Sequence, residues 1–122
     1  MSTIDYLGTY AEGWTNGDSA TILSVVSDSF IFDDPNAGKI SKGDFPEYFA
    51  GLKVAAASMR STDHEGPFME LSEVLTMDND DGLTASCWWE ILGTNIQGSG
   101  LIKVANDGVV SEQIAYYTKL PS

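Results

Sequence analysis

The run Phe30-Ile31-Phe32-Asp33-Asp34-Pro35-Asn36-Ala37-Gly38 decides how the rest of the chain is read. Alternate residues of a strand point to opposite faces, so Phe30, Phe32 and Asp34 share one side and Ile31 and Asp33 the other. Pro35 disfavours helix at Asp34 and has no N–H for a sheet ladder, so the strand stops there. Asp34 is left at the strand's lip, in line with two aromatic rings. A carboxylate held against aromatic carbon loses hydration and becomes a usable proton acceptor. The competing reading is an Asp that only starts the turn, bonding nearby backbone N–H groups.

Before this strand, Ser2 or Thr3 can cap a first helix and Asp5 suits its opening turn. Ile4, Leu7, Ala11 and Trp14 recur at helical spacing as an inward stripe, and Tyr10 lies close enough to that stripe to carry its hydroxyl inwards. Asn16-Gly17 stops the helix, and Asp18 can cap a short second one holding Ala20, Leu23 and Val26. After the strand, residues 39–43 read as a loop, and Asp44 with Glu47 forms a variant capping box. Phe45, Phe49, Leu52, Ala56 and Met59 mark a third helix ending near Arg60. From Phe68 onwards the pattern shortens to four strands joined by turns, the tightest at Asp80-Asp81-Gly82 and Asn106-Asp107-Gly108. The order is helix, helix, strand, helix and four strands, an α+β domain with a curved antiparallel sheet and its helices on one face. Such a sheet leaves a cone with an apolar mouth.

Composition limits the partners. The 122 residues make one domain, and a 43% hydrophobic content predicts a packed core rather than disorder. A formal net charge of −12 repels phosphate backbones and anionic lipid, which argues against nucleic-acid and membrane partners. Cys87 is the only cysteine and His64 the only histidine, so neither a disulfide nor a thiolate metal cluster is expected. With no leader pattern and no long apolar run, the expected setting is the cytoplasm.

Three stretches, YAEGWTNGD in the first helix, FIFDDPNAG with a KG following, and DGVVSEQIAYYT at the end, carry a resemblance that spans nearly the whole chain. The layout resembles the NTF2-like superfamily, particularly SnoaL-like polyketide cyclases and ketosteroid isomerases. The resemblance implies a cone wrapped around a long N-terminal helix. It puts Tyr10 at the family's catalytic tyrosine and Asp34 at its general base, with no cofactor and no metal. Ketosteroid isomerases complete their oxyanion hole with a protonated Asp. Here that place falls near Leu101, and no carboxylate lies between Ile96 and Ala105. SnoaL-like chains often carry an Asp after the last aromatic pair, where this chain has Thr118.

The implied lining of the cone is Trp14, Phe30, Phe32, Phe49, Leu52, Cys87, Trp89, Leu101, Glu112, Ile114 and Tyr116. Trp89 is either a stacking wall for a flat ligand or a core residue, and Cys87 reads as a small buried hydrophobe. Glu112 shares a face with Val110, Ile114 and Tyr116, so it is either a second carboxylate in the cone or a surface residue near the strand's start. Glu73 interrupts Met69, Leu71, Leu75 and Met77, which predicts a β-bulge. His64, between Asp63 and Glu65, reads as a solvated loop residue. Trp88, Leu92, Ala115 and Tyr117 form an outward apolar patch that predicts a homodimer.

Two functions follow. One is an isomerase- or cyclase-like enzyme in which Asp34 moves a proton and Tyr10 donates to the developing oxyanion of an apolar, cyclic substrate. The other is a non-catalytic ligand-binding or dimeric interaction module of the same fold.

Overall fold

The structure is a computed structural model that describes residues 1–60 and 64–117. Helix α1 (Thr3–Asn16) is started by a complete capping box: Ser2 Oγ accepts from the Asp5 N–H, and the Asp5 carboxylate accepts from the Ser2 N–H. It ends at Gly17, whose φ of 66° is the left-handed cap that glycine takes without steric cost. The buried face is Leu7, Tyr10, Gly13 and Trp14; Ile4, in the first turn, is exposed. Asp18 caps α2 (Ser19–Leu23) through the N–H groups of Ala20 and Thr21. The inward residue of α2 is Ile22, and Val26 belongs to the strand that follows.

Strand β1 (Val26–Asp34) turns at Pro35 into β2 (Gly38–Ser41), so the segment expected as a loop instead closes a hairpin, with Ile40 opposite Phe32. Helix α3 (Phe45–Met59) begins without the expected box, because Asp44 and Ser41 bond each other instead. Strands β3 (Met69–Asn79), β4 (Gly82–Ile91), β5 (Gln97–Ala105) and β6 (Gly108–Tyr116) complete one mixed sheet in the order β2-β1-β6-β5-β4-β3. Only the β1–β6 pairing is parallel among the described strands.

Two bulges set which residues face the helices. Glu73 and Val74 together lie between the pairs Ser72–Trp88 and Leu75–Ser86, with Glu73 at a φ of 53°. The bulge splits the apolar stripe of β3. Met69 and Leu71 stay inside, whereas Leu75 and Met77 pair with outward residues and are exposed. Val110 is the extra residue of β6, since Lys103 pairs with Ser111 and Val104 with Val109. That shift puts Val109, not Val110, on the inner face ahead of Glu112. The core is aromatic: Trp14 packs on Phe49, Phe32 and Phe45 with ring centres 5.3, 5.4 and 5.8 Å apart. Mixed α+β with an unclosed, curved sheet around α1 is the architecture.

Candidate active site

The concave face of the sheet, α1 and α3 enclose an apolar cavity. Its walls include Trp14, Leu52, Leu71, Cys87, Trp89 and Ile114, with Glu112, Tyr48 and Tyr116 as its polar members. The cavity has a volume of about 20 Å³. That is room for one or two waters, so a larger ligand must displace wall side chains.

Glu112 is the deepest polar group. It is carried on β6 opposite Ile102 and is 5% exposed. Its Oε1 accepts a 2.5 Å bond from the Tyr10 hydroxyl, delivered by α1, and among the described residues no other group bonds the carboxyl. Oε2 lies over Gly100, where a Cβ would collide with it. Gly98 makes the same kind of room for the Trp89 ring. Burial pushes the Glu112 carboxyl up to about 7, against the opposing pull of the Tyr10 bond. Burial and then the neighbouring carboxyl hold the Tyr10 hydroxyl well above the ordinary phenol range. The Trp14 N–H is turned towards the Tyr10 oxygen without closing a hydrogen bond. Cys87, beside Gly100, is pushed up to about 12 by burial and the Glu112 charge, so it stays a thiol.

Asp34 lies in a second network at the exposed Pro35–Ala37 turn. Its Oδ2 accepts from the Tyr48 hydroxyl at 2.6 Å and from the Tyr116 hydroxyl at 2.8 Å, and its Oδ1 from the Asn36 N–H at 2.9 Å. Burial first, then the bond to Asp34, raises both phenols above their ordinary range. Asp34 therefore acts both as the turn residue and as a buried carboxylate on the aromatic face.

Asp34 and Tyr10, expected to share one pocket, thus belong to different networks: Tyr10 faces Glu112, and Asp34 faces Tyr48 and Tyr116. Trp14, Phe32, Leu52, Cys87, Trp89, Glu112, Ile114 and Tyr116 line the cavity as expected of the cone. Phe30 and Phe49 are buried in the aromatic core and do not line it. Leu101 is a correction. It is 41% exposed on the outer face, because strand alternation turns Gly100 and Ile102 inwards instead. Glu73 is held in its bulge, and His64 bonds the Pro67 carbonyl within its own loop. Thr118 lies outside the described residues.

Tyr48, Met69, Leu71, Ile91 and Ile102 were not foreseen as lining. For Tyr48 a signal existed: it stands four residues before Leu52, one turn back on the same face of α3. Among the described residues no group of three His, Cys, Asp or Glu is placed to hold a metal ion, and no helix is long and apolar enough to cross a membrane.

Comparison with known proteins bears on the fold. No family model and no curated protein matches this sequence. Among solved structures, a candidate polyketide cyclase from Xanthomonas campestris superposes with a TM-score of 0.65 at 12% identity, covering 94% of this chain and 90% of that one. A second candidate polyketide cyclase, from Pseudomonas putida, gives 0.62 at 14% identity over 98% and 93%. An NTF2-like protein from Anabaena variabilis gives 0.65 at 16% identity over 94% and 86%. The fold is the NTF2-like cone, which these three structures share.

Proposed function

We propose that this chain is a cofactor-independent enzyme of the isomerase or cyclase kind, acting on a small, apolar, cyclic substrate, with Glu112 as its proton-transferring group. The observation that carries this reading is a carboxyl buried in an apolar cavity, pushed up to about 7 and bonded, among the described residues, to Tyr10 alone. A group half-protonated near neutral pH can both take and return a proton, which is what moving a proton along a substrate requires. Tyr10 is the hydrogen-bond donor that holds the acid in place. Asp34, the sequence's first choice as base, already accepts three hydrogen bonds, and we take it as the group that fixes Tyr48 and Tyr116. The named resemblance to candidate polyketide cyclases supports the reaction class by analogy of fold alone. A single buried thiol, Cys87, suits a reducing cytoplasm. Exposed Trp88, Leu101 and Tyr117 support a homodimer through the outer sheet face.

The test uses a flat apolar carbon acid, 5-nitrobenzisoxazole. A base removes its ring C–H proton as the N–O bond breaks, giving a coloured cyanophenolate with no other reactant. Turnover should rise with pH through about 7, as Glu112 loses its proton. Glu112→Gln should lower it at least 100-fold, and Asp33→Asn, on the opposite strand face, should leave it unchanged. If Asp34→Asn abolishes turnover while Glu112→Gln keeps it, Asp34 is the base after all. Binding of the probe without turnover at any pH would leave the non-catalytic module as the function.

A further inference from the structure

The cavity wall nearest the exposed turn has an unusual donor–acceptor balance. Tyr48 and Tyr116 both donate their hydroxyl protons to Asp34 Oδ2. A phenol has one proton, so both are spent and only the oxygen lone pairs remain for a ligand. The two phenol oxygens stand beside each other, with the Asn36 side chain next to that of Tyr116. Next to them Trp89 packs edge-on against Tyr116, with ring centres 5.6 Å apart at 82°. Its indole N–H is buried and finds no acceptor among the described residues. Buried donors are seldom left unpaired in folded proteins, and one lining a ligand cavity is a position for a ligand acceptor.

We infer that this wall selects a ligand hydroxyl, a group that can donate to a phenol oxygen of Tyr48 or Tyr116 and also accept an N–H such as that of Trp89. Asp34 is then a positioning residue: by taking both phenol protons it makes the tyrosines acceptors. An aliphatic group at the same place would leave the indole N–H and the phenol oxygens unpaired, and an ether or ketone oxygen would meet acceptors it cannot bond. The inference rests on the cavity being the substrate site, but not on Glu112 being the proton-transferring group.

Phenol and toluene have nearly the same shape and differ by hydroxyl against methyl, so together they test the inference. Binding is followed by proton–nitrogen NMR, with the indole resonances of Trp14 and Trp89 resolved. A purely apolar cavity prefers toluene, because phenol is better solvated by water. The wild-type protein should instead bind phenol at least ten-fold tighter, with the Trp89 indole proton moving downfield as it gains an acceptor. Tyr48→Phe, half-buried at the wall and least harmful to folding, should remove the preference. Asp34→Asn should do the same, since an amide no longer holds both phenol protons. Equal or tighter binding of toluene by the wild type, or an unchanged preference in both variants, overturns the inference while leaving the cavity as a binding site. If neither compound binds, the cavity reading falls and this inference falls with it.

Discussion

Glu112 is the residue on which chemistry and stability meet. Its carboxyl titrates at about 7 in the folded protein and near the ordinary glutamate value of about 4.3 when unfolded. The folded state therefore holds the proton more tightly, so stability is greatest below the unfolded value and falls as pH rises from about 4.3 to about 7. At pH 8 Glu112 costs on the order of 3 kcal/mol relative to a group that never ionises. Glu112→Gln should keep the Tyr10 bond through its amide oxygen and be more stable than wild type at pH 8. The difference should shrink towards zero at pH 4, which urea denaturation at the two pH values measures. Equal stability of Glu112→Gln and wild type at both pH values would mean a hydrated, ordinary Glu112. The sequence put Glu112 on a candidate inner face but could not choose between cone and surface, because the choice depends on Tyr10, 102 residues away. Asp34 was legible as a buried carboxylate beside aromatics. What escaped was the count of donors around it, since Tyr48 and Tyr116 reach it only in three dimensions.

Two of the cavity's wall residues, Trp89 and Glu112, are seated over strand positions that lack a side chain. On β5, Gly98 and Gly100 face inwards: a Cβ at Gly98 would meet the Ala115 carbonyl and then the Trp89 ring, and one at Gly100 would meet Glu112 Oε2. Gly100→Ala should force Glu112 off Tyr10 or shift the strand, at a cost of roughly 1–3 kcal/mol. Gly51, on the exposed face of α3 with no atom near its Cβ position, is the counterpart: Gly51→Ala should stabilise the protein by roughly 0.5–1 kcal/mol through helix propensity. Denaturation of the pair at pH 5 separates close approach from generic glycine effects. A neutral Gly100→Ala beside a stabilising Gly51→Ala would mean Glu112 has room to spare. Elements with strong local signals were legible: a cap at Ser2 or Thr3 and the stop at Asn16-Gly17 of α1, the stop at Pro35 and the bulge at Glu73. The short β2 was not, because four residues with one apolar member carry no period and pair only where β1 presents an edge. The bulge at Val110 was missed for a related reason, since register belongs to the β5–β6 pair and not to either strand.

At the scale of the molecule, the sheet has one face covered by helices and one that no described element covers. That outer face collects Leu75, Met77, Trp88, Leu101 and Tyr117, all exposed. Trp88, 49% exposed, packs edge-on against Tyr117 at 5.4 Å, so the two rings form one platform rather than scattered contacts. A contiguous apolar patch of this kind on a chain this small favours self-association, and a two-fold axis through it lets each copy present the same patch. Charge opposes that step. Each copy carries a net charge of −12, and Glu70 pairs with Glu90 across neighbouring strands on the same face. Apolar burial at the centre must therefore outweigh repulsion at the rim, and screening by salt reduces only the repulsion. The dimer is expected to tighten as ionic strength rises from 0.02 to about 0.2 M, where the screening length falls to roughly 7 Å. Trp88→Glu places a charge at the centre of the patch and should weaken the dimer at least 30-fold, consistent with a loss of about 2 kcal/mol or more for a central aromatic. Because Trp88 points away from the cavity, phenol binding should survive that change. Sedimentation velocity at micromolar protein across the salt series decides it: a monomer at every salt concentration, with Trp88 fluorescence quenched freely by iodide, would show that the uncovered face takes no second copy.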